Sequence, residues 1–196
     1  MLRTHPKQAK RQIMPEKTKT VRELGAVDIS QIREDILNLP AEVWQGASSD
    51  KPNNVFKPLK NTEHIIFTFV NDFDNHLDVV EYPIWQEWKS RLEPIMKAAT
   101  KPYGYEQGGF SRVMLAKLLP HSKIPLHIDM FESSNHTHKI HIPIQTSPDV
   151  TFIVGYKKYY FPEGYAYEVN NAGVHGGINA GDTPRIHLII EYFQQK

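Results

Sequence analysis

Residues 110–130 read FSRVMLAKLLPHSKIPLHIDM. Two runs rich in β-branched and apolar side chains, near 110–119 and 124–130, flank the turn residues Pro120, His121 and Ser122, which is the pattern of strand, turn and strand. The same texture continues downstream. Further strands are expected near 138–146, 150–156, 165–170, 174–179 and 185–193. They are broken at Ser133-Ser134-Asn135, Ser147-Pro148-Asp149, Pro162-Glu163-Gly164, Asn170-Asn171 and Gly181-Asp182. Short strands at intervals of roughly 8–12 residues indicate an all-β sandwich or barrel.

Upstream of Gly108 the periodicity is different. Ile29, Ile32, Ile36, Leu37 and Leu39 recur at helical spacing over 28–39, with Asp28 or Ser30 to cap the start and Pro40 to stop the run. Pro83 opens a second expected helix, whose Ile84, Trp85, Trp88, Leu92, Ile95 and Met96 form one apolar stripe ending near Lys101-Pro102. Between them His64–Val70 reads as a buried strand. Helices therefore come first and strands afterwards, and the helices are expected to buttress one face of a β domain.

Composition narrows the function. With 40% hydrophobic and 23% charged residues in 196, the chain has enough apolar surface for a core. No window approaches the roughly 20 apolar residues that a bilayer requires, and Met1–Pro6 lacks the apolar core of a secretory signal. Zero cysteines exclude disulfides, thiolate zinc sites, iron–sulfur clusters and a cysteine nucleophile. These features together are read as a cytoplasmic chain with no membrane partner. The net charge of +1 divides unevenly: residues 1–22 carry +6 and the remainder −5. A basic arm over 1–22 followed by one domain over 23–196, its β core at about 110–193, is the expected organisation. The arm holds no aromatic residue to stack on bases, which argues against nucleic acid.

Seven of the ten histidines lie between 121 and 187. In Pro125-Leu126-His127-Ile128-Asp129, His127 and Asp129 are two apart on an expected strand, so both side chains leave one face. His175 follows the turn at Asn170-Asn171 on another strand. Two imidazoles and one carboxylate on one side of a metal form the facial triad of non-haem iron(II) oxygenases. Arg185, ten residues beyond His175, supplies a guanidinium fork suited to a carboxylate; the competing assignment pairs it with Asp182 at the turn.

From about Ser111 to Phe193 the chain resembles the aspartyl/asparaginyl β-hydroxylase family of 2-oxoglutarate- and iron(II)-dependent dioxygenases, with weaker similarity at Phe56–Leu59 and His64–Phe69. The resemblance is carried by Arg112–Pro120, Ile124–Asp129, His138–Thr146, Val169–His175 and Asn179–Leu188. It implies a mainly β fold with N-terminal helices: a double-stranded β-helix (jelly-roll, cupin-like) buttressed by helices. It also implies Fe(II) at His127, Asp129 and His175, 2-oxoglutarate as co-substrate with Arg185 on its distal carboxylate, O2 as oxidant, and hydroxylation of an amino-acid side chain, free or in a peptide or protein. Some members lack the carboxylate that stands here as Asp129. Where the family often has Arg-x-His-x-Pro, this chain has Lys139, His141 and Pro143. His141 is expected to face the pocket and bond 2-oxoglutarate, and Lys139 to add charge to the cofactor site without a fork. A nucleic-acid-modifying oxygenase would carry a second arginine soon after Arg185, and 186–196 contain none. A cupin-like zinc or manganese enzyme would prefer a second histidine and a glutamate near His127. A non-catalytic jelly-roll binding module would have no need of all four ligating and gripping residues.

Overall fold

The computed structural model describes residues 16–44 and 62–195. Most of the basic arm and the similarity at Phe56–Leu59 lie outside the described residues. Eleven described strands form two antiparallel sheets. The larger has the order β1 (Val21–Ala26), β9 (Tyr165–Val169), β6 (His138–Gln145), β11 (Arg185–Gln194), β4 (Gly108–Leu118), β2 (Thr62–Val70), β3 (Val79–Glu81). The smaller has the order β5 (Ser122–His127), β10 (His175–Asn179), β7 (Val150–Val154), β8 (Lys157–Tyr159). Together they form a double-stranded β-helix, with α1 (Ser30–Leu37) and α2 (Trp85–Thr100) packed on the large sheet.

Period-two alternation explains why that sheet is buried on both faces. On β11, Ile186, Leu188 and Ile190 pack in the main core, while Arg185, Ile189 and Glu191 line a cavity on the opposite face. On β6, Ile140, Ile142 and Ile144 face the core and Lys139 and His141 the cavity. On β4, Val113 and Leu115 face the core and Arg112, Met114 and Ala116 the cavity. The expected stripe of α2 closes the core from outside: Trp85, Trp88, Leu92, Ile95 and Met96 are all buried, and Phe67 of β2 lies about 6 Å from both tryptophan rings. Pro94 sits inside this helix, and a left-handed Gly104 (φ 65°) ends the 3-10 turn that follows.

Several expectations need correction. Strand β1 precedes the helices and pairs with β9, so the boundary at residue 22 cuts through a strand. Residues 16–20 also pack on the body: Thr18 N–H donates to Glu168 and Asn170 N–H to Thr20 O. The charge run obscured this because β1 buries only Leu24, leaving too weak a hydrophobic signal. The short strands β3 and β8 were also missed, and Ser133-Ser134-Asn135 belongs to a helical turn, α3 (Glu132–Asn135), not a plain break. Strand β5 stops at His127 rather than running on to Met130.

Candidate active site

A cavity of about 220 Å³ lies between the two sheets, and the expected site residues converge on it. His127 ends β5 and His175 begins β10, and the two pair directly across the antiparallel ladder, bringing their ring centroids to 4.3 Å. Gly176 permits this approach, because a Cβ there would lie 2.7 Å from Ile124 O. Asp129, just past the end of β5, is held by its backbone N–H donating to Asn171 O at 3.1 Å. Asp129 Oδ1 then lies 3.7 Å from His127 Nε2 and 3.9 Å from His175 Nε2, and one ligand atom from each residue falls within 4.8 Å of the others.

The hydrogen bonds suit this trio to a divalent metal. His127 Nδ1 donates to Pro125 O at 2.9 Å and His175 Nδ1 to Gly173 O at 3.0 Å. A carbonyl can only accept, so in its neutral form each ring holds its proton on Nδ1 and its Nε2 lone pair is turned toward Asp129. Such outer bonds fix the tautomer and orientation of metal-ligating histidines. Burial, reinforced by Lys139, lowers His175 to about 4, so the ring is neutral and ready to ligate at ordinary pH. Burial pushes the Asp129 carboxyl up, but the charge and hydrogen bond of Lys139 act against it, and the group is held well below the usual carboxylate range.

Lys139, expected among the co-substrate contacts, gives its ammonium to Asp129 Oδ2 at 2.5 Å. This contact holds and orients the Asp129 carboxylate. Asn171 Nδ2 donates to the same oxygen at 3.3 Å. Lys17, which the sequence placed in the arm, donates to Asn171 Oδ1 at 2.8 Å and to Ser134 O. The chain Lys17–Asn171–Asp129 spans residues far apart in sequence, and no local pattern announces it.

Arg185 lines the same cavity, is 2% exposed, and its Nε has no partner. The competing pairing with Asp182 is not made; Asp182 is exposed and bonds His121 Nε2 at 2.9 Å. Among the described residues no carboxylate forms an ion pair with Arg185. Burial lowers its guanidinium to about 10, still charged at neutral pH. A buried unpaired cation costs several kcal/mol, on the order of the penalty for breaking a buried ion pair, unless an anion meets it. His141 lies on the same cavity wall, 4% exposed, with Nε2 unpartnered. Phe152 packs edge-on to it at 5.0 Å. The fork, the ring nitrogen and the apolar wall fit a dicarboxylate seated between Arg185 and the histidine–carboxylate trio.

Sequence reasoning missed a second charged pair. Arg112 of β4 is bonded to Glu191 of β11, to Ser134 Oγ at 3.0 Å and to Ser133 Oγ at 2.7 Å, and Arg112, Ser134 and Glu191 line the cavity. Thr137 also donates to Glu191 at 3.1 Å. Charges at inward positions of strands whose neighbours are apolar were the available signal.

The aspartyl/asparaginyl beta-hydroxylase profile matches residues 86–195, more than half of the chain and every expected site residue. No curated protein sequence matches. Among solved structures, an oxidoreductase of the 2OG-Fe(II) oxygenase family from Burkholderia pseudomallei superposes with a TM-score of 0.54 at 14% identity, covering 69% of this chain and 67% of that one. A viral collagen prolyl hydroxylase from Paramecium bursaria Chlorella virus-1, in its 2OG complex, gives 0.50 at 12% identity over 90% and 97%. A non-heme monooxygenase, ThoJ, in a nickel complex gives 0.53 at 13% identity over 88% and 72%. At these identities the likeness establishes the shared fold. Among the described residues no helix is long and apolar enough to cross a membrane.

Proposed function

The chain belongs to the aspartyl/asparaginyl β-hydroxylase family and is a hydroxylating 2-oxoglutarate- and iron-dependent dioxygenase; on that footing we propose that His127, Asp129 and His175 hold the iron(II) and that Arg185 and His141 hold 2-oxoglutarate. The observation that carries the co-substrate assignment is the buried guanidinium of Arg185 without a carboxylate partner. The metal assignment is supported by the two Nδ1–carbonyl hydrogen bonds, which leave both Nε2 lone pairs facing the Asp129 carboxylate. A non-catalytic module would have no use for either feature.

When bound, iron and 2-oxoglutarate supply oxygen activation for C–H hydroxylation, with O2 consumed and the co-substrate leaving as succinate and carbon dioxide. The chain's own residues supply orientation and dryness. Arg185 would receive the distal carboxylate on its guanidinium and so position the co-substrate. His141, on the neighbouring strand, would donate to the same ligand. Lys139 and Asn171 keep Asp129 ionised and aimed with Oδ1 inward while they occupy Oδ2. Phe152, Met114 and Ile189 line the cavity and exclude water from it.

The substrate is an amino-acid side chain, free or within a peptide. It enters past Ile128, Met130 and Phe131, of which Met130 is 87% exposed. The helices pack with the large sheet in the main core, and a second cluster of Phe152, Val154, Tyr167 and Val169 joins the two sheets, so one domain carries the activity, and it includes residues 16–22. The test is oxygen-dependent succinate formation by iron-loaded protein offered amino acids and peptides, with a +16 mass shift sought on the substrate. Succinate release that depends on iron and oxygen supports the reading; none under any combination overturns it.

A further inference from the structure

We propose that His187 is a positioning residue that fixes the tautomer of His141, so that His141 presents an Nε2–H donor to the cavity beside Arg185; the inference rests on the reading of that end of the cavity as the 2-oxoglutarate pocket. Strand register brings the two rings together. His187 lies opposite Pro143 and His141 opposite Ile189 on the β6–β11 ladder, so the two histidines are diagonal neighbours on the inner face. Their Nδ1 atoms are 3.2 Å apart, with the rings inclined at 79°. Both residues are buried, at 4% and 1% exposure.

Two nitrogens at that distance share one proton, and there are two ways to place it. In the first, His141 Nδ1–H donates to His187 Nδ1. His187 then carries its own proton on Nε2, an atom buried with no partner. The aromatic ring of Phe161, whose centroid is 6.4 Å away, offers no acceptor oxygen or nitrogen. His141 Nε2 is then a bare lone pair facing a pocket built for a carboxylate. An orphaned buried donor and an acceptor aimed at an anion are both unfavourable. In the second, His187 Nδ1–H donates to His141 Nδ1. His187 Nε2 is then a lone pair against an apolar wall, which is the lesser cost, and His141 Nε2–H points into the cavity. With a carboxylate in the pocket the second placement removes both penalties; without one, the His141 Nε2–H still faces the cavity, whereas a His187 Nε2–H would not.

Both rings are neutral. Burial lowers each well below the ordinary histidine value; Lys139, Arg185 and His175 add to this at His141, and Arg185 and His141 at His187. His187 itself does not line the cavity, so it acts through His141 and not on the ligand. A histidine two residues past the gripping arginine thus has a task that its position alone does not reveal.

The test begins with the full chain, labelled with nitrogen-15 and free of metal and 2-oxoglutarate. Long-range proton–nitrogen correlation distinguishes a protonated, pyrrole-type ring nitrogen from a bare, pyridine-type one. The expected spectrum has His141 pyrrole-type at Nε2 and pyridine-type at Nδ1; the reverse overturns the proposal without any variant. The second measurement is calorimetric affinity of zinc-loaded protein for 2-oxoglutarate. His187→Leu, which has no donor, should bind 2-oxoglutarate about ten- to hundredfold more weakly, the range for a hydrogen bond to a charged group. Its zinc affinity should be unchanged. His187→Asn places an amide near the position of Nδ1 and should stay within a few-fold of wild type. Equal 2-oxoglutarate affinity in all three proteins overturns the role of His187. Wild-type protein that binds zinc but no 2-oxoglutarate overturns the pocket reading instead, and the nitrogen spectrum separates the two failures.

Discussion

Burying a guanidinium is unfavourable by several kcal/mol unless a carboxylate or a full shell of acceptors meets it, and Arg185 is buried with its Nε unpartnered. Breaking its pairing with 2-oxoglutarate should cost about 2–5 kcal/mol, or roughly thirty- to several thousand-fold in affinity. Arg185→Ala is therefore expected to bind 2-oxoglutarate that much more weakly in an anaerobic titration, with iron affinity nearly unchanged. Arg185→Lys keeps the charge but loses the fork and should fall between. Equal affinities would remove Arg185 from the pocket. Lys139 calls for a different experiment, because its ammonium is bound to Asp129 Oδ2. In Lys139→Met the largest influence left on Asp129 is burial, which raises a carboxyl pKa. Protons then compete with metal at higher pH, so the pH at which half the metal is lost should move upward. Measuring cobalt affinity from pH 5 to 8 in both proteins checks this; coincident profiles would show that the clamp has no electrostatic role.

Elements matter here for what they carry to the cavity. The alternation on β11 was legible because Ile186, Leu188 and Ile190 mark one face so strongly that Arg185 had to lie on the other. His127 and Asp129 were legible through their spacing, although β5 ends at His127 and Asp129 is placed by its own bond to Asn171. Contacts between elements distant in sequence were not legible. The Arg112–Glu191 pair joins residues 79 apart, and the Lys17–Asn171 bond residues 154 apart. The net charge over 1–22 suggested a basic arm separate from the domain, whereas Lys17 reaches inward as part of a segment leading into β1. Burial lowers the Lys17 ammonium from its ordinary value, and nearby Glu191 acts against that effect. Partners of metal ligands commonly contribute 10–100-fold to affinity, and Lys17 stands one bond further out. Lys17→Ala should therefore weaken iron binding by less than about tenfold while the fold is kept. Calorimetry decides it: an unchanged constant would mean that Asn171 holds Asp129 without help from the segment.

For the molecule as a whole, the buried neutral histidines set the response to acid. His141, His175, His187 and His76 all have pKa values lowered chiefly by burial. The unfolded chain takes up protons on these rings near pH 6.5 while the folded one does not, so stability must fall as pH drops below that value. Each such proton contributes up to about 1.4 kcal/mol per pH unit. Melts of the metal-free protein should show Tm falling steadily from pH 7 to pH 5, with the slope reduced in His187→Asn. A flat profile over that window would mean that the rings already hold protons in the fold. Metal bound at His127 and His175 should raise Tm by linkage and lift the curve as a whole. That metal is the centre of the account. The most direct measurement is an anaerobic titration of iron(II) with 2-oxoglutarate in wild type and His175→Ala, following the metal-to-ligand charge-transfer absorption. Wild type should develop the band with one iron and one 2-oxoglutarate per chain, and His175→Ala should not. A band of equal intensity in the variant, or none in the wild type, would contradict the assignment of His127, Asp129 and His175 as the iron site.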